Sequence, residues 1–397
     1  MKFIQLIKQT FLSLMVLQLT VQTSHAGALQ ITVTSSSDES QTGLITLREA
    51  VEEANTTSGA EIVFDPAIFE IPQTIELTQG EISIITNVTI VGPGADLLTI
   101  DAANQSRIFN LDDSDNNTAK RTDLSGITLT NGNAEGIGGC INSREKLILR
   151  DAVIKNCQTT GRGGGVSTLR DGNVIENTTF INNSAGTGGG LGHQAGNGLN
   201  LVIGSTFVGN FASSKGGGLF IFQTSGFEVV NSTFSDNTST NGAGMFMASA
   251  AKIVNSTIVN NTGTGVFLKQ NNIQNSIIAL NTGGDCELDQ TGFDNFNNLD
   301  SDGSCDLDAV NHITVIDPRL GPLSNNGGLT RTHAPLFGSP VIDSGDDFSC
   351  TGFDQRGVSR PRDGDADGTP TCDIGAVEFD FELDEVIFSN GFEDPLG

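Results

Sequence analysis

Residues 180–191 read Phe-Ile-Asn-Asn-Ser-Ala-Gly-Thr-Gly-Gly-Gly-Leu, and residues 207–219 repeat the plan as Phe-Val-Gly-Asn-Phe-Ala-Ser-Ser-Lys-Gly-Gly-Gly-Leu. Each stretch joins a Phe-x-x-Asn phrase to a glycine run that is followed by an apolar residue. The glycine phrase occurs six times between residues 137 and 266, at intervals of 21 to 28 residues. Two phrases in a fixed order at one period indicate that the chain builds one structural unit repeatedly.

Each repeat contains short runs rich in Val, Ile, Phe and Thr, separated by Gly, Asn, Ser and Asp. Such runs are typical of β-strands bounded by turns. A period in the twenties predicts one coil of a parallel β-helix, because a propeller blade needs about 40 residues and the leucine-rich frame is absent. We therefore predict an all-β fold across residues 27–316, a right-handed single-stranded parallel β-helix with roughly ten to twelve coils.

The Phe-x-x-Asn phrases predict how the coils stack. Equivalent side chains of neighbouring coils lie about 4.8 Å apart. Phe180, Phe207 and Phe234 should therefore form an internal stack. The asparagines of the same phrases should form a ladder at one corner, where asparagine suits the turn: Asn183, Asn210, Asn237 and Asn261.

The N-terminal end departs from the repeat. Residues 1–26 read as a secretory signal peptide, with a short apolar core and Ser24-His25-Ala26 as the cleavage site. That core is too short to span a membrane, and we expect no transmembrane helix in the mature chain. The capping box at residues 46–49 predicts a helix over residues 46–55 that covers the open end of the solenoid.

Composition limits the partners. The chain carries 47 acidic and 20 basic residues, a formal net charge of −27. This charge disfavours nucleic acid and anionic membranes as partners, and it disfavours a polyanionic substrate unless calcium bridges the two. The chain has no Trp and no Tyr, and its phenylalanines stand at the core positions of the repeat phrase. Because carbohydrate pockets usually contain aromatic side chains, this composition makes a processive polysaccharide enzyme less expected.

Six cysteines in a chain with a signal peptide predict a disulfide framework. Fifteen pairings are open to six cysteines. Sequence proximity favours three short loops, closed by Cys140–Cys157, Cys286–Cys305 and Cys350–Cys372. No cysteine spacing matches a zinc site.

An acidic stretch near the C-terminus is a candidate calcium site. Asp363, Asp365 and Asp367 alternate with small residues before Gly368, and carboxylates at such positions can converge on a hard cation. Asp373 or Glu378 would complete the site. The glutamate and the flanking helices of an EF-hand are absent, and a solvated acidic turn explains the same residues.

Basic side chains are the candidates for catalysis. A β-elimination would need a basic group beside a charge neutraliser, and two successive repeats supply Arg144, Arg150, Arg162 and Arg170. A solvated surface patch is the other interpretation of these arginines. A glycosidase needs two facing carboxylates, and the acidic residues of the repeats do not recur at a spacing that would place two of them on one strand face.

The chain resembles known families at both ends. Its repeats resemble those of polymorphic outer-membrane proteins and related bacterial β-helix surface proteins, which implies a solenoid of the pectate-lyase-like type. Residues 45–51 are similar to their Cys-Ser-Leu-Arg-Glu-Ala motif, with Ile45 in place of the cysteine. Residues 326–378 resemble the choice-of-anchor Q domain, which places a C-terminal module at residues 317–380. Residues 381–397 are similar to a short tail found on exported proteins.

From these observations we expect an exported, non-enzymatic monomer, secreted or displayed at the cell surface and associated with the outer membrane. Its partner would be a glycan or a protein, bound for adhesion. The alternative is a polysaccharide lyase or glycoside hydrolase that acts in the lateral groove of the β-helix. An enzyme would bring acidic and basic side chains together in a cleft on one sheet, which separates the two hypotheses.

Overall fold

The computed structural model describes residues 29–115, 117–196, 198–223, 226–269, 272–289, 295–305 and 311–380. The signal peptide predicted at residues 1–26 and the tail predicted at residues 381–397 lie outside these ranges. Within them the chain is a parallel β-helix with long sheets of ten, eleven and nine strands, which confirms the predicted fold class. The solenoid has about nine complete turns, one for each strand of the nine-stranded sheet, fewer than the roughly ten to twelve coils predicted. The terminal coils place strands only on the other two long sheets and are therefore incomplete.

Each full coil passes through the three sheets in the same order. Sheet 1 contains Gln30–Val33, Ala60–Phe64, Val88–Val91, Arg121–Ser125, Lys146–Arg150, Val174–Glu176, Leu199–Ile203, Gly226–Val230, Lys252–Val254 and Ile273–Gln274. Sheet 2 contains Gln73–Glu76, Leu98–Asp101, Thr128–Thr130, Val153–Lys155, Thr179–Ile181, Thr206–Val208, Thr233–Ser235, Thr257–Val259, Ile277–Ala279, Leu299–Asp300 and Ile313–Thr314. Sheet 3 contains Ile82–Ile84, Phe109–Leu111, Ile141–Ser143, Val166–Thr168, Leu191–Gln194, Leu219–Phe222, Met245–Met247, Val266–Leu268 and Cys286–Leu288. A short fourth sheet, between sheets 2 and 3 along the chain, contains Asn133–Ala134, Gln158–Thr159, Ser184–Thr187 and Phe211–Lys215.

The predicted phenylalanine stack lies inside the solenoid. Phe180, Phe207 and Phe234 pair in register on sheet 2, between Ile154 and Ile258 on the neighbouring coils. Their ring centroids are 4.4 and 4.5 Å apart, and the three side chains are fully buried. Burial of each such side chain contributes about 1.5–3 kcal/mol, so the stack is a major source of cohesion between coils.

The predicted asparagine ladder occupies the corner after sheet 2. Each side-chain amide donates to the next asparagine, from Asn183 to Asn210 at 2.9 Å and from Asn210 to Asn237 at 2.9 Å. The ladder continues through Asn261 to Asn281, one coil beyond the predicted members. Each carbonyl oxygen also accepts a backbone N–H of the previous coil, so the ladder satisfies buried polar groups that the corner leaves unpaired.

The glycine phrases form the next corner of the coil, which follows the short fourth sheet and leads into sheet 3. Gly188 has a φ of 63°, in the left-handed region that glycine enters without strain. A Cβ on Gly190 would lie 2.8 Å from the carbonyl oxygen of Gly218 and from the Phe207 ring. The phrase is therefore required both by the turn and by the close approach of neighbouring coils.

The predicted capping helix is helix α1, Leu47–Ala54. Thr46 and Glu49 form the reciprocal capping box, with hydrogen bonds of 3.0 and 3.1 Å. The apolar stripe of the helix is buried against the first strands, and Arg48 pairs with the buried Asp38 at 2.9 Å. One further short helix, Pro66–Phe69, lies between sheets 1 and 2. Among the described residues, no helix is long and apolar enough to cross a membrane.

The C-terminal segment, residues 317–380, folds back along the outer face of sheet 2. Thr206 donates to the backbone of Arg331 at 2.6 Å, and Thr233 donates to Gln355 at 2.7 Å. A second apolar cluster joins this segment to the sheet, and its buried residues are Val259, Ile277, Ala279, Leu299, Val341 and Ile374. The segment therefore covers the C-terminal part of sheet 2, from the strand Thr206–Val208 onward.

Three disulfides join Cys140–Cys157, Cys286–Cys305 and Cys350–Cys372, the pairs that sequence proximity favours.

Candidate functional site

The outward face of sheet 3 combines amide, basic and aromatic side chains. Strands of this sheet alternate, so that Leu219 and Ile221 are fully buried in the core while Phe220 between them points outward. Nine outward residues form one row of the register, which we call the sheet 3 face: Ser83, Asn110, Asn142, Ser167, Gly192, Phe220, Phe246, Phe267 and Glu287.

The C-terminal half of the sheet 3 face is a phenylalanine strip. Phe220 and Phe246 stack with centroids 5.5 Å apart, and Phe246 and Phe267 with centroids 4.4 Å apart. The ammonium group of Lys215 lies 4.6 Å from the centroid of Phe246. Phe220 and Phe267 are half-buried and Phe246 is 4% exposed, on the outer side of sheet 3 rather than inside the solenoid, so the expectation that phenylalanine occupies only core positions is wrong. The sequence contained the signal, since each follows the apolar residue of a glycine phrase by one position.

The N-terminal half of the same face is polar. The Asn142 amide donates to Asn110 Oδ1 at 2.8 Å. Its own carbonyl oxygen is buried and accepts no hydrogen bond from the described residues. A buried acceptor without a partner is costly, so this oxygen is a local weak point in the hydrogen bonding of the sheet.

Arg162 reaches the sheet 3 face from the corner that precedes the strand Val166–Thr168. Its side chain lies across Gly192, where a Cβ would stand 2.3 Å from Arg162 Cγ. Its guanidinium donates to Ser167 Oγ at 3.3 Å and to Gln194 Oε1. Burial lowers the pKa of Arg162, although a guanidinium remains charged at any physiological pH.

The other three predicted arginines are engaged by carboxylates. Arg144 lies 3.8 Å from Asp112 at the edge of sheet 3, and Arg170 lies 3.9 Å from Glu145. Arg150 instead ends a strand of sheet 1 and pairs there with Glu176 at 2.8 Å. The structure therefore brings Arg144, Arg162 and Arg170 to sheet 3 or its edge, and it places Arg150 on a different face.

An acidic cluster that sequence reasoning missed lies where two strands of sheet 3 end. Carboxylate oxygens of Asp112, Asp113 and Glu145 lie within 4.8 Å of one another. Burial raises the pKa of Glu145, while a hydrogen bond from the Asp115 backbone lowers the pKa of Asp113. Asp112 and Asp113 follow a strand directly, but only the register of the coils shows that Glu145 joins them.

The predicted calcium ligands are partly brought together. Asp363 and Asp365 lie with Asp343, and their carboxylate oxygens are within 4.8 Å of one another. Asp367 contributes its backbone N–H to Asp363 at 3.1 Å, as in a turn. Asp373 is buried away from this group and accepts from the backbone of Asp343 at 2.7 Å. Asp343, rather than Asp373, is therefore the third carboxylate of the candidate site.

His193 lies inside the solenoid, on the strand Leu191–Gln194 of sheet 3. Its ring bonds to Thr168 Oγ1 at 2.9 Å, and Asn200 lies 3.4 Å from Nε2. Burial lowers the pKa of His193 to about 4, so the ring is neutral at physiological pH. This histidine is part of the core and not of a surface site.

Comparison with known proteins identifies the fold. Neither a family model nor a curated protein matches the sequence, so the resemblances at residues 45–51 and 326–378 stay predictions. Pectate lyase Pel9A is similar in structure, with a TM-score of 0.53 and 12% sequence identity over 89% of this chain and 98% of that chain. The A-module of the Azotobacter vinelandii mannuronan C-5 epimerase AlgE6 aligns with a TM-score of 0.31 and 13% identity, over 68% of this chain and 89% of that chain. This chain therefore shares the parallel β-helix fold of pectate lyase Pel9A.

Proposed function

We propose that this protein binds a polysaccharide along the sheet 3 face and cleaves it there. The observation that carries the proposal is the acidic cluster of Asp112, Asp113 and Glu145 with Arg144 beside it, on the same sheet as Arg162, which lies two to three coils further along. This feature distinguishes an enzyme from an adhesive β-helix. The fold shared with a pectate lyase is consistent with a glycan that lies along the solenoid.

In this proposal Arg162 binds an acidic group of the glycan, on a sugar two to three coils from the acidic cluster. Its guanidinium stays protonated, so it is unsuited to act as the base that the sequence suggested. A fixed positive charge beside a uronate carboxylate would stabilise the anion that forms when the neighbouring carbon loses its proton. Arg144, 3.8 Å from Asp112, is the cation placed to supply that charge. Arg162 is suited to binding because its own partners, Ser167 and Gln194, are uncharged.

The acidic cluster favours β-elimination over hydrolysis. A glycosidase needs two carboxyl groups that both reach the scissile bond. The Glu145 side chain is only 2% exposed, and one of its oxygens accepts the Lys120 backbone N–H at 2.7 Å. The Asp112 side chain is 24% exposed, which leaves it as the reachable carboxylate that would accept the proton. The electron pair left on that carbon would form the double bond as the glycosidic C–O bond on the next carbon breaks, and the leaving oxygen would take a proton from water.

The test measures products on a polysaccharide panel. The purified mature chain is incubated with each glycan, with and without calcium, and both new reducing ends and the ultraviolet absorbance of unsaturated sugars are followed. We expect an unsaturated product that Asp112→Asn abolishes and that Lys155→Gln, a charge change on sheet 2, leaves unchanged. Reducing ends without absorbance would mean hydrolysis and overturn the lyase assignment.

The same panel tests the adhesive hypothesis. Tight glycan binding without any product would overturn the cleavage reaction and favour the exported, non-enzymatic surface protein that the sequence suggested. Failure of the folded chain to bind any glycan would overturn the sheet 3 face as a carbohydrate site.

A further inference from the structure

Two cations stand in one row of the register along the edge of the sheet 3 face. Arg162 pairs with Thr187 on the next coil, and Thr187 pairs with Lys215 on the coil after it. Arg162 and Lys215 are therefore two coils apart, with an uncharged threonine between them. The positions that flank this row, Ile137 and Asn241, are also uncharged.

Both side chains lean toward the C-terminal end of the solenoid by one coil. Arg162 reaches Gln194, which belongs to the coil after its own. Lys215 likewise reaches Phe246 on its next coil. Because the lean is the same, the charged ends remain two coils apart, about 10 Å at the usual strand spacing.

Neither cation is neutralised by its surroundings. In the part of the chain that the structure describes, the side chain of Arg162 bonds to a hydroxyl and an amide, and that of Lys215 lies over an aromatic ring. Arg144 and Arg170, which lie at the same sheet edge, are by contrast paired with Asp112 and Glu145. In a chain with a net charge of −27, two cations with uncharged partners on one face indicate an anionic ligand.

We propose that the polysaccharide bound along the sheet 3 face carries an anionic group on every second sugar. A pyranose residue of an extended glycan is about as long as one coil is high, so a two-coil interval matches alternate sugars. A chain with a carboxylate on every sugar would place an unpaired charge opposite Thr187. An alternating acidic disaccharide repeat places its anionic groups at Arg162 and Lys215, and its uncharged sugar between them.

This inference rests on the proposed function, since it names the substrate class of the same face. It also gives the phenylalanine strip a role. Lys215 lies over Phe246, which is 4% exposed, while Phe220 is half-buried and Phe222 on the same strand is 39% exposed. Stacked rings turn their edges outward and offer an apolar strip for the carbon-bound hydrogens of the sugars between the charges.

The experiment compares three oligosaccharides of equal length by calorimetric titration of the mature chain. Hyaluronan oligosaccharides carry a carboxylate on every second sugar, oligogalacturonates on every sugar, and cello-oligosaccharides on none. We expect hyaluronan to bind about tenfold more tightly than the other two, as charge-assisted hydrogen bonds allow. Tighter binding of oligogalacturonate by the unmodified chain would overturn the inference.

Variants assign the preference to the two cations. Arg162→Gln and Lys215→Gln should each weaken hyaluronan binding, by about tenfold for the half-buried arginine and about threefold for the lysine. Lys155→Gln on sheet 2 removes the same charge from another face and should change nothing. Arg162→Lys retains the charge, so it separates a loss of binding from a loss of folding.

A gain of function completes the test. Thr187→Arg places a cation on the intermediate coil, and it should shift the preference toward oligogalacturonate. An unchanged preference in this variant would contradict the register argument. Failure of the folded chain to bind any of the probes would instead overturn the proposed function, so the two failures are distinguishable.

Discussion

Substitution of Asn210 by alanine tests whether the asparagine ladder holds the coils together. Asn210 is fully buried and has a ladder asparagine on either side, Asn183 and Asn237. Its carbonyl oxygen accepts the backbone and side-chain N–H groups of Asn183, at 3.0 and 2.9 Å. Its amide donates to the Phe180 carbonyl at 3.0 Å and to Asn237 at 2.9 Å. Alanine removes all four hydrogen bonds and leaves buried groups on two coils without partners.

The expected loss follows from these contacts. A buried hydrogen bond contributes about 1 kcal/mol net, and a buried group left unpaired costs about 1–3 kcal/mol. We therefore expect Asn210→Ala to lower the free energy of unfolding by about 4 kcal/mol. Asn210→Asp should lower the free energy of unfolding at least as much, because it places a carboxylate in a fully buried site and removes both amide N–H donors.

The assay is urea unfolding of the mature chain, with hydrogen exchange of the Asn183 amide as a local readout. Asn133→Ala is the matched control, since Asn133 is exposed and donates one bond of 3.2 Å. The control should change the free energy of unfolding by less than about 1 kcal/mol. A loss in Asn210→Ala as small as in the control, with unchanged exchange at Asn183, would refute the reasoning.

Three further predictions address other parts of the molecule. Because burial lowers the pKa of His193 to about 4 from 6.5, the neutral ring contributes stability that is present above pH 6.5 and is lost as the pH falls toward 4, by about 3 kcal/mol. His193→Gln should flatten that part of the stability–pH curve, and an unchanged slope would contradict the burial argument. Gln355→Ala removes the contact to Thr233 and should speed hydrogen exchange in the C-terminal segment while exchange in the solenoid is unaffected. Equal protection of the segment in Gln355→Ala and in the unmodified chain would show that other contacts hold it. Calcium should raise the melting temperature by binding to Asp343, Asp363 and Asp365, and Asp365→Asn should remove this effect. If calcium does not shift the melting temperature of the unmodified chain, these residues form a solvated acidic turn and not a calcium site.

The regular part of the structure could be predicted because each of its features repeats along the chain. A solenoid brings residues one period apart into contact, so the spacing of Phe180 and Phe207 in sequence already gives their stacking. The capping box at Thr46 acts within one turn of helix, and each disulfide closes a loop of 17 to 22 residues. These interactions need no knowledge of the rest of the fold.

Tertiary structure decided what lies outside the repeat. The C-terminal segment lies on sheet 2 through contacts such as that of Thr206 with Arg331, 125 residues apart. The repeat spacing of the sequence does not predict such contacts. Whether Phe246 points inward or outward depends on the phase of the strand, and a shift of one residue exchanges the two faces. The grouping of Asp112 with Glu145, and of Arg162 with Lys215, depends on the register between coils of unequal length. The sequence alone therefore determined the solenoid, whose contacts follow one repeating distance, and only the folded chain determined the candidate site, whose residues meet through the phase and register of the coils.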